Sequence, residues 1–191
     1  MPFIEETLTK EVLLQNPVFT LVRHTVRVKG GRTSTRYCIE HKGAVAVAAL
    51  TPDGKLLMEK QYRKALDDVI WEIPAGKIDP DETPCEVIAE DGRKGYWLCT
   101  GKRELKEETG WEAEDWQPLA TICGSVGYTN EKIEIWKCRC TVQGETDPDE
   151  GEDVELYEFT LPQLLAMIRR GEIIDAKTIT AVLLLAREAG I

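Results

Sequence analysis

The chain has 191 residues, with 24 lysine and arginine residues against 34 aspartate and glutamate residues, so its formal net charge is −10. A chain this acidic is not expected to bind nucleic acid through a broad basic face. It has no apolar run long enough to cross a bilayer, and its first residues, MPFIEETLTKEV, lack the basic-then-apolar order of a secretory signal. We therefore expect a cytoplasmic protein with one principal domain and an appendage, and no membrane or nucleic-acid partner.

The cysteines point to ordinary thiols in a reducing compartment. Six are present, at positions 38, 85, 99, 123, 138 and 140, and no two of them form a Cys-x-x-Cys pair. A zinc site built on Cys138 and Cys140 would need a second His or Cys pair, which the sequence does not supply. Reduced, ordinary buried thiols are therefore the favoured interpretation.

Residues 1–42 predict an antiparallel β-hairpin extension. The segment PVFTLVRHTVRV is typical of a strand, KGGRT of a turn, and STRYCIEHKGAVAVAAL of a second extended run. The glycine pair in the turn could suggest a phosphate loop, but no helix pattern follows it, so a hairpin turn is favoured. Because a two-stranded hairpin alone is marginally stable, we expect the extension to pack on the main body or on another subunit.

Residues 43–191 predict a mixed α/β domain. The segments LLMEKQYR, EKIEIWKCRCTV and VELYEF are typical of strands, and VIWEIPAGKIDPDE of a strand that runs into a long loop. Apolar residues at helical spacing predict two C-terminal helices, the first capped by Thr160 and ended by Gly171. Strands interleaved with helices indicate a mixed β-sheet sandwiched between helices. The two helical patterns are Leu161, Leu164, Leu165 and Ile168, then Ile179, Val182, Leu183 and Ala186.

The segment GKRELKEETGW places three glutamates on one face of a helix, just before a glycine that is expected to end it. Glu104, Glu107 and Glu108 have the i, i+3, i+4 spacing of one face, and Gly110 has the position of a C-terminal glycine. Carboxylates in the last turn repel one another and cost about 0.3–1 kcal/mol each against the helix dipole. A divalent cation such as Mg²⁺ or Mn²⁺ would remove both penalties. From this helix alone, a metal site and a solvated charged face both remain open.

The wider pattern resembles the Nudix hydrolase signature. WEIPAGKIDPDE and RELKEETGW together match its order of glycine, glutamate, Arg-Glu-aliphatic, paired glutamates, glycine and an apolar residue. HKGAVAVAAL, KQYR, VGYTNE and GEIIDAKTITAVLLL are similar to the ADP-ribose pyrophosphatase branch of that family. The matching signature positions are Gly76, Glu82, Arg103, Glu104, Leu105, Glu107, Glu108, Gly110 and Trp111.

One departure from the family pattern is the length of its spacer. Twenty residues separate Glu82 from Arg103, thirteen more than the seven of the family pattern. Three glycines in this region predict an insertion near residues 91–102 that leaves the helix, loops out and returns. We expect this insertion to be accessory to the chemistry. It leaves the position of Glu82 undetermined.

The resemblance implies a Nudix fold and a metal-dependent site. It assigns Glu104, Glu107 and Glu108 to Mg²⁺ or Mn²⁺, with the backbone carbonyl of Ala75 as a further ligand. Glu104 and Arg103 belong to the catalytic set, with Arg103 orienting the glutamates.

Residues outside the signature are expected to hold the substrate and activate water. Arg63 is a candidate for gripping a diphosphate, since guanidinium matches phosphate geometry, and Glu72 is expected to face the pocket. By itself, Arg63 could equally be a surface arginine beside a strand. In the acidic loop DPDEGEDVEL, the resemblance assigns Glu150 as general base and Glu152 as auxiliary metal ligand. Without the family context, a solvated acidic turn would be favoured.

The expected activity is Mg²⁺-dependent hydrolysis of the diphosphate bond of a nucleoside diphosphate sugar, with ADP-ribose giving AMP and ribose 5-phosphate. Two alternatives remain: another nucleotide sugar such as GDP-mannose, or a Nudix domain that senses a nucleotide sugar without cleaving it. The complete set of glutamates disfavours the sensing alternative. We expect a homodimer in which residues 1–42 serve dimerisation or substrate contact.

Overall fold

The computed structural model describes residues 4–147 and 153–191 and shows a mixed α/β fold. The helices are α1 (Leu98–Thr109), α2 (Leu161–Arg169) and α3 (Ala176–Glu188). The strands are β1 (Glu6–Gln15), β2 (Thr20–Arg27), β3 (Thr33–Glu40), β4 (Ala44–Leu50), β5 (Leu56–Arg63), β6 (Asp68–Glu72), β7 (Ala75–Lys77), β8 (Val87–Ile88), β9 (Lys94–Gly95), β10 (Trp111–Ile122), β11 (Ile133–Gln143) and β12 (Val154–Phe159).

The central sheet has the strand order β10-β11-β4-β5-β12, with β6 paired to β5 and β7 paired to β4. The pairing of β11 with β4 is parallel, whereas β12 and β5 are antiparallel, so the sheet is mixed. Alternate residues of β4 enter different hydrophobic clusters because successive side chains on a strand point to opposite faces. Ala46 and Ala48 pack with α2 and α3, while Val47 and Ala49 pack with Leu105 of α1. The predicted sheet sandwiched between helices is confirmed.

The helix boundaries follow the predicted stop signals. Gly110 has φ 72° and ends α1, and Gly171 has φ 73° just beyond α2. At the start of α2, the side chain of Gln163 accepts hydrogen bonds from the backbone and hydroxyl of Thr160. Asp175 caps α3 by accepting from the Thr178 backbone N–H at 2.9 Å. Within the described residues, no helix combines the length and apolarity needed to span a bilayer.

Contacts divide the chain into two compact units, Met1–Gly43 with Cys123–Lys132, and Ala44–Ile122 with Ile133–Ile191. In the first unit, the predicted hairpin is confirmed as β2 and β3, and β1 adds a further strand that sequence analysis did not anticipate. The extended run predicted over 34–50 is divided at Gly43, which has φ 109°, so β3 and β4 belong to different sheets. The predicted roles of residues 1–42 stay predictions.

The insertion in the signature forms a small hairpin in front of α1. Strands β8 and β9 pair across a turn at Gly92, and the Cys85 N–H extends the pairing to the Tyr96 carbonyl at 2.8 Å. We predicted that the chain leaves the helix at the insertion and returns to it afterwards. In the structure, the helix starts only after the hairpin, at Leu98. The last residues of the predicted insertion, 98–102, therefore lie within α1.

Glu134 fastens this hairpin to the central sheet. Its Oε2 atom accepts from the backbone N–H groups of Tyr96 at 2.9 Å and Trp97 at 3.1 Å. The indole of Trp136 lies 3.3 Å from the same oxygen, and Gly95 leaves room for that ring, because a Cβ at Gly95 would lie 2.3 Å from it. A buried carboxylate that satisfies several N–H groups makes the hairpin an integral part of the domain.

Glu134→Ala should lower the free energy of unfolding by about 3 kcal/mol, because buried N–H groups lose their acceptor. Glu134→Gln keeps one acceptor oxygen and should cost about 1 kcal/mol. The control is Glu114→Ala, which removes an exposed ion pair with Arg139 and should change stability by less than about 1 kcal/mol. Urea unfolding measures all three, and equal stability of Glu134→Ala and Glu114→Ala would contradict the anchoring role.

Candidate active site

Helix α1 directs its glutamates toward the body of the domain. Glu104 is 8% exposed and Glu108 is 6% exposed, whereas Glu107 is more accessible. Burying an ionised carboxylate is costly unless it is paired or bound to a cation. The alternative of a solvated charged face is therefore wrong for Glu104 and Glu108.

The loop at β7 holds both buried glutamates. The backbone N–H of Ala75 donates to Oε2 of Glu108 at 3.1 Å. Gly76 lies so close to Glu104 that a Cβ at this position would be 1.8 Å from its carboxyl carbon. The structure thus brings Ala75, Gly76, Glu104 and Glu108 together, and the glycine of the signature is explained by this close approach.

Arg103 is the cation among these carboxylates. Its guanidinium lies 2.9 Å from Glu104 and 2.8 Å from Glu107, and it donates to the Lys77 carbonyl at 3.2 Å. Burial lowers the pKa of Arg103, but the neighbouring carboxylates outweigh it and raise that pKa above its ordinary value. Arg103 therefore stays charged and holds the glutamates in place.

Glu82 reaches the same site despite the long spacer. Its carboxylate accepts from the Thr100 hydroxyl on the first turn of α1 and from the Asp79 N–H at 3.1 Å. Its other oxygen lies 3.6 Å from Nε of Arg103. The sequence left the position of Glu82 undetermined. In the structure Glu82 lies next to α1, because the two strands of the inserted hairpin are antiparallel and bring the chain back close to Glu82 before the helix begins.

A second ionic group lies behind α1, on β5, β6 and α3. Arg63 pairs with Glu72 through two hydrogen bonds of 2.7 and 2.8 Å, and Lys177 donates to the same carboxylate. Burial raises the pKa of Glu72, but Arg63 and Lys177 outweigh it and lower that pKa below its usual value. Both predicted substrate residues, Arg63 and Glu72, are thus brought together.

Lys177 is the residue of this group that sequence analysis missed. It is only 7% exposed and lies 105 positions after Glu72 along the chain. Its sequence neighbours indicate only a helix start at Asp175, so no local pattern marks it as an ion-pair partner. Its proximity to Glu72 arises from the packing of α3 on the sheet.

Glu59 was also missed, and it is the least satisfied carboxyl in this region. It is 3% exposed on β5, opposite Glu72 of β6, and its Oε1 atom has no hydrogen-bond partner in the structure. Its carboxyl group contacts that of Glu108. Burial and the charge of Glu72 raise the pKa of Glu59 to about 8, although Lys177 and Arg63 act in the opposite direction.

The acidic loop begins beside the end of α1. The N–H of Asp147 donates to the Glu107 carbonyl at 2.8 Å, and β12 resumes with Val154 paired to Gln61 of β5. The predicted base Glu150 and auxiliary ligand Glu152 fall outside the described residues. Their assignments stay predictions.

The donors in the site suit a hard divalent cation. Carboxylates from Glu59, Glu104, Glu107 and Glu108 occur together with backbone groups of the β7 loop, and such oxygen donors are those that Mg²⁺ and Mn²⁺ prefer. In residues 4–147 and 153–191, no group of three or more His, Cys, Asp or Glu side chains is placed so that it could hold a metal ion. The unpartnered, buried Oε1 of Glu59 nevertheless marks a place where a positive charge would be favourable.

The cysteines do not form an alternative metal centre. All six are free thiols, and Cys138 and Cys140 are buried in the hydrophobic cluster between the sheet and α1. The expectation of buried thiols is wrong for the other four, since Cys85, Cys99 and Cys123 are exposed and Cys38 is partly exposed. Burial raises the pKa of Cys140 to about 11 and also raises that of Cys138. Cys138 and Cys140 are therefore neutral packing residues at physiological pH.

Comparison with known proteins identifies the family. The chain is 34% identical over 180 residues to an ADP-ribose pyrophosphatase of Bacillus subtilis, which covers 93% of this chain and 90% of that protein. The chain belongs to the Nudix hydrolases, in the ADP-ribose pyrophosphatase-like group. This Nudix hydrolase is also 37% identical over 182 residues to a methanol dehydrogenase activator of Bacillus methanolicus, covering 94% of the chain and 91% of that protein.

A solved structure shares the fold. The crystal structure of an ADP compounds hydrolase superposes with a TM-score of 0.78 at 19% identity, and the match covers 97% of this chain and 94% of the other. No protein-family model matches the chain. The fold and the pyrophosphatase relatives agree with the resemblance inferred from the signature.

Replacing Lys177 should destabilise this Nudix hydrolase. Lys177→Met leaves the buried Glu72 with one cation fewer and should lower the free energy of unfolding by about 3 kcal/mol. Lys55→Met is the control, because Lys55 forms an exposed ion pair with Glu158 at 3.4 Å, and its loss should cost less than about 1 kcal/mol. Thermal unfolding compares the two variants, and a stable Lys177→Met would show that the pair contributes little.

Proposed function

We propose that this Nudix hydrolase cleaves the diphosphate bond of a nucleoside diphosphate sugar, with ADP-ribose as the preferred substrate and AMP and ribose 5-phosphate as products. The observation that carries the proposal is the burial of Glu104 and Glu108 against the Ala75–Gly76 loop, which assembles the signature in space. The relative named ADP-ribose pyrophosphatase, matched over nearly the whole chain, supports the choice of substrate. We place the enzyme in the cytoplasm.

The residues that would hold Mg²⁺ or Mn²⁺ are Glu104, Glu107, Glu108 and the carbonyl of Ala75, with Glu152 as an auxiliary ligand. When bound, the cation supplies neutralisation of the diphosphate charge and a water of lowered pKa. Arg103 orients Glu104 and Glu107 through its ion pairs. In this role it acts on the ligands and not on the substrate.

Arg63 and Glu72 are assigned to the substrate. The ion pair uses Nε and Nη2 of Arg63, so the Nη1 edge is the part that we expect to reach a diphosphate oxygen. The side chain of Arg63 is 42% exposed, in contrast to the buried Glu72. Glu72 and Lys177 thus fix a partly accessible guanidinium, which limits the conformational entropy that it loses on binding.

Glu150 is assigned as the general base. The glutamates of α1 are committed to the cation and to Arg103, so the attacking water needs another carboxylate to accept its proton. The acidic loop begins at Asp147, which is hydrogen-bonded to the last turn of α1. This anchor supports a carboxylate from the loop as the base.

A panel of nucleotide sugars tests the function. Purified protein is assayed with ADP-ribose, GDP-mannose and related compounds, with Mg²⁺ or with EDTA, and the products are identified by chromatography. We expect AMP and ribose 5-phosphate from ADP-ribose, with the highest kcat/KM of the panel and no turnover in EDTA. Binding without cleavage of any member would support the sensing alternative instead.

Glu107→Gln and Glu108→Gln should each lose most of kcat at saturating Mg²⁺, because a neutral amide is a poorer ligand for a hard cation. Circular dichroism checks that the variants are folded. Glu112→Gln, at an exposed ion pair with Lys106, is the matched control and should remain fully active. Near-normal kcat in either helix variant would remove that glutamate from the metal site.

Glu150→Gln should lower kcat by about 10²–10⁴-fold, the usual contribution of a general base, with little change in the Mg²⁺ requirement. Glu152→Gln should instead raise the Mg²⁺ concentration that gives half-maximal rate. Metal titrations of the steady-state rate separate the two effects. Exchanged phenotypes would mean that the two assignments are reversed.

We further propose a homodimer that involves β1. This strand is at the edge of its sheet and exposes Leu8, Val12 and Leu14, so it offers both free backbone groups and apolar surface. Light scattering should give twice the monomer mass, and Val12→Asp should shift the population toward monomer. Thr9→Asp on the same strand adds the same charge without removing an apolar side chain and should have a smaller effect. A monomeric wild-type protein would reject the proposal.

A further inference from the structure

Glu59 follows the apolar first half of β5 and is buried with it. Leu56, Leu57 and Met58 precede it on β5 and are almost completely buried, and Glu59 itself is 3% exposed. An ionisable group at such a position is expensive unless a partner compensates its desolvation. A carboxyl that persists there therefore requires an explanation beyond packing.

The cations near Glu59 are already engaged elsewhere. Arg63 and Lys177 both bind the carboxylate of Glu72, which lies opposite Glu59 in the pairing of β5 with β6. Glu59 itself contacts Glu108, so two carboxyl groups meet on the side of the site that faces the sheet. Two carboxyl groups in contact cannot both be ionised without repulsion, so they either share a proton or have a cation near both.

One oxygen of Glu59 is free to bind such a cation. Oε1 is inaccessible to solvent and has no hydrogen-bond partner in the structure, while the carboxyl group as a whole touches Glu108. Glu108 in turn is fixed by the Ala75 N–H at 3.1 Å, so the pair has a defined orientation next to the β7 loop. Glu59 thus has one buried oxygen without a partner in a carboxyl group that contacts Glu108 of α1.

We propose that Glu59 supplies a carboxylate oxygen to the divalent cation that Glu108 binds, as a ligand from β5 outside the family signature. The inference rests on the proposed metal-dependent function and extends its ligand set from α1 and the β7 loop to the sheet. Glu59 thereby contributes affinity for the cation at the expense of stability of the metal-free protein.

Binding of Mn²⁺ to the full chain tests the proposal without any turnover. Free Mn²⁺ is measured by electron paramagnetic resonance during titration of the wild type, Glu59→Gln, Glu59→Leu and the exposed control Glu114→Gln. We expect Glu59→Gln and Glu59→Leu to bind Mn²⁺ at least about tenfold more weakly, the lower end of the range for residues that support a metal site. The control should match the wild type.

Thermal unfolding provides a second readout that a purely structural role would not reproduce. Without metal, Glu59→Leu should have a higher Tm than the wild type, because leucine suits a buried position and removes a buried carboxyl. Saturating Mn²⁺ should raise the Tm of the wild type more than that of either Glu59 variant, since stabilisation follows the affinity for the folded state. If Glu59→Leu does not fold, Glu59→Gln carries the comparison.

The outcomes separate this inference from the function on which it rests. If the wild type binds Mn²⁺ and Glu59→Gln binds it equally well with an equal rise in Tm, Glu59 is not a ligand, and the proposed function stands. If the wild type neither binds Mn²⁺ nor requires a divalent cation for hydrolysis, the metal-dependent function and this inference both fail.

Discussion

The ion pairs of Arg103 are the interaction on which the rest of the site depends. One guanidinium reaches Glu104 and Glu107 on its own helix and Glu82 from the preceding loop. Without it, several carboxylates would be held together at the end of a helix that already disfavours negative charge. Arg103 allows this group of carboxylates to fold together before a divalent cation is bound. It also leaves the glutamates able to bind such a cation.

The same solution recurs where Glu72 is held by Arg63 and Lys177. Arg63 and Arg103 are both partly exposed, but Lys177 and Glu72 are both buried. The pairing of Lys177 with Glu72 is therefore only weakly screened by salt. Glu59 contacts Glu108 of the first group and lies opposite Glu72 of the second, and no cation of either group forms a hydrogen bond with it. Its burial and the charge of Glu72 therefore raise its pKa.

Local patterns were sufficient for the features that depend on short-range spacing. The glutamate face of α1, its termination at Gly110 and the two C-terminal helices were all predictable, because helical periodicity and glycine stops act within a few residues. The hairpin of β2 and β3 followed from its turn for the same reason. The strands β1, β8, β9 and β10 were missed, since none of them has a strong apolar alternation.

The features that sequence could not provide are long-range. Glu59 belongs to no motif, and the family-like segment GEIIDAKTITAVLLL does not indicate a partner for Lys177. The contacts of both residues follow only from the packing of β5, β6 and α3. The position of Glu82 could be found only from the structure. Twenty residues separate it from Arg103, and this number does not show that the two side chains lie close together. When two residues in contact belong to different secondary-structure elements, local sequence patterns do not predict the contact.

The inserted hairpin has a consequence for how this scaffold tolerates added sequence. Lengthening a flexible connection from seven to twenty residues costs only about 1 kcal/mol of closure entropy, and the pairing of β8 with β9 offsets part of it. The turn at Gly92 is farthest from the anchor at Glu134 along the hairpin, and its φ of 85° marks a tight reversal. Arg93, next to this turn, donates to the Leu119 carbonyl at 2.9 Å and to Glu188 at 3.1 Å. A foreign module grafted at Gly92 would leave the base of the hairpin fastened at Glu134, provided that it preserves this second anchor.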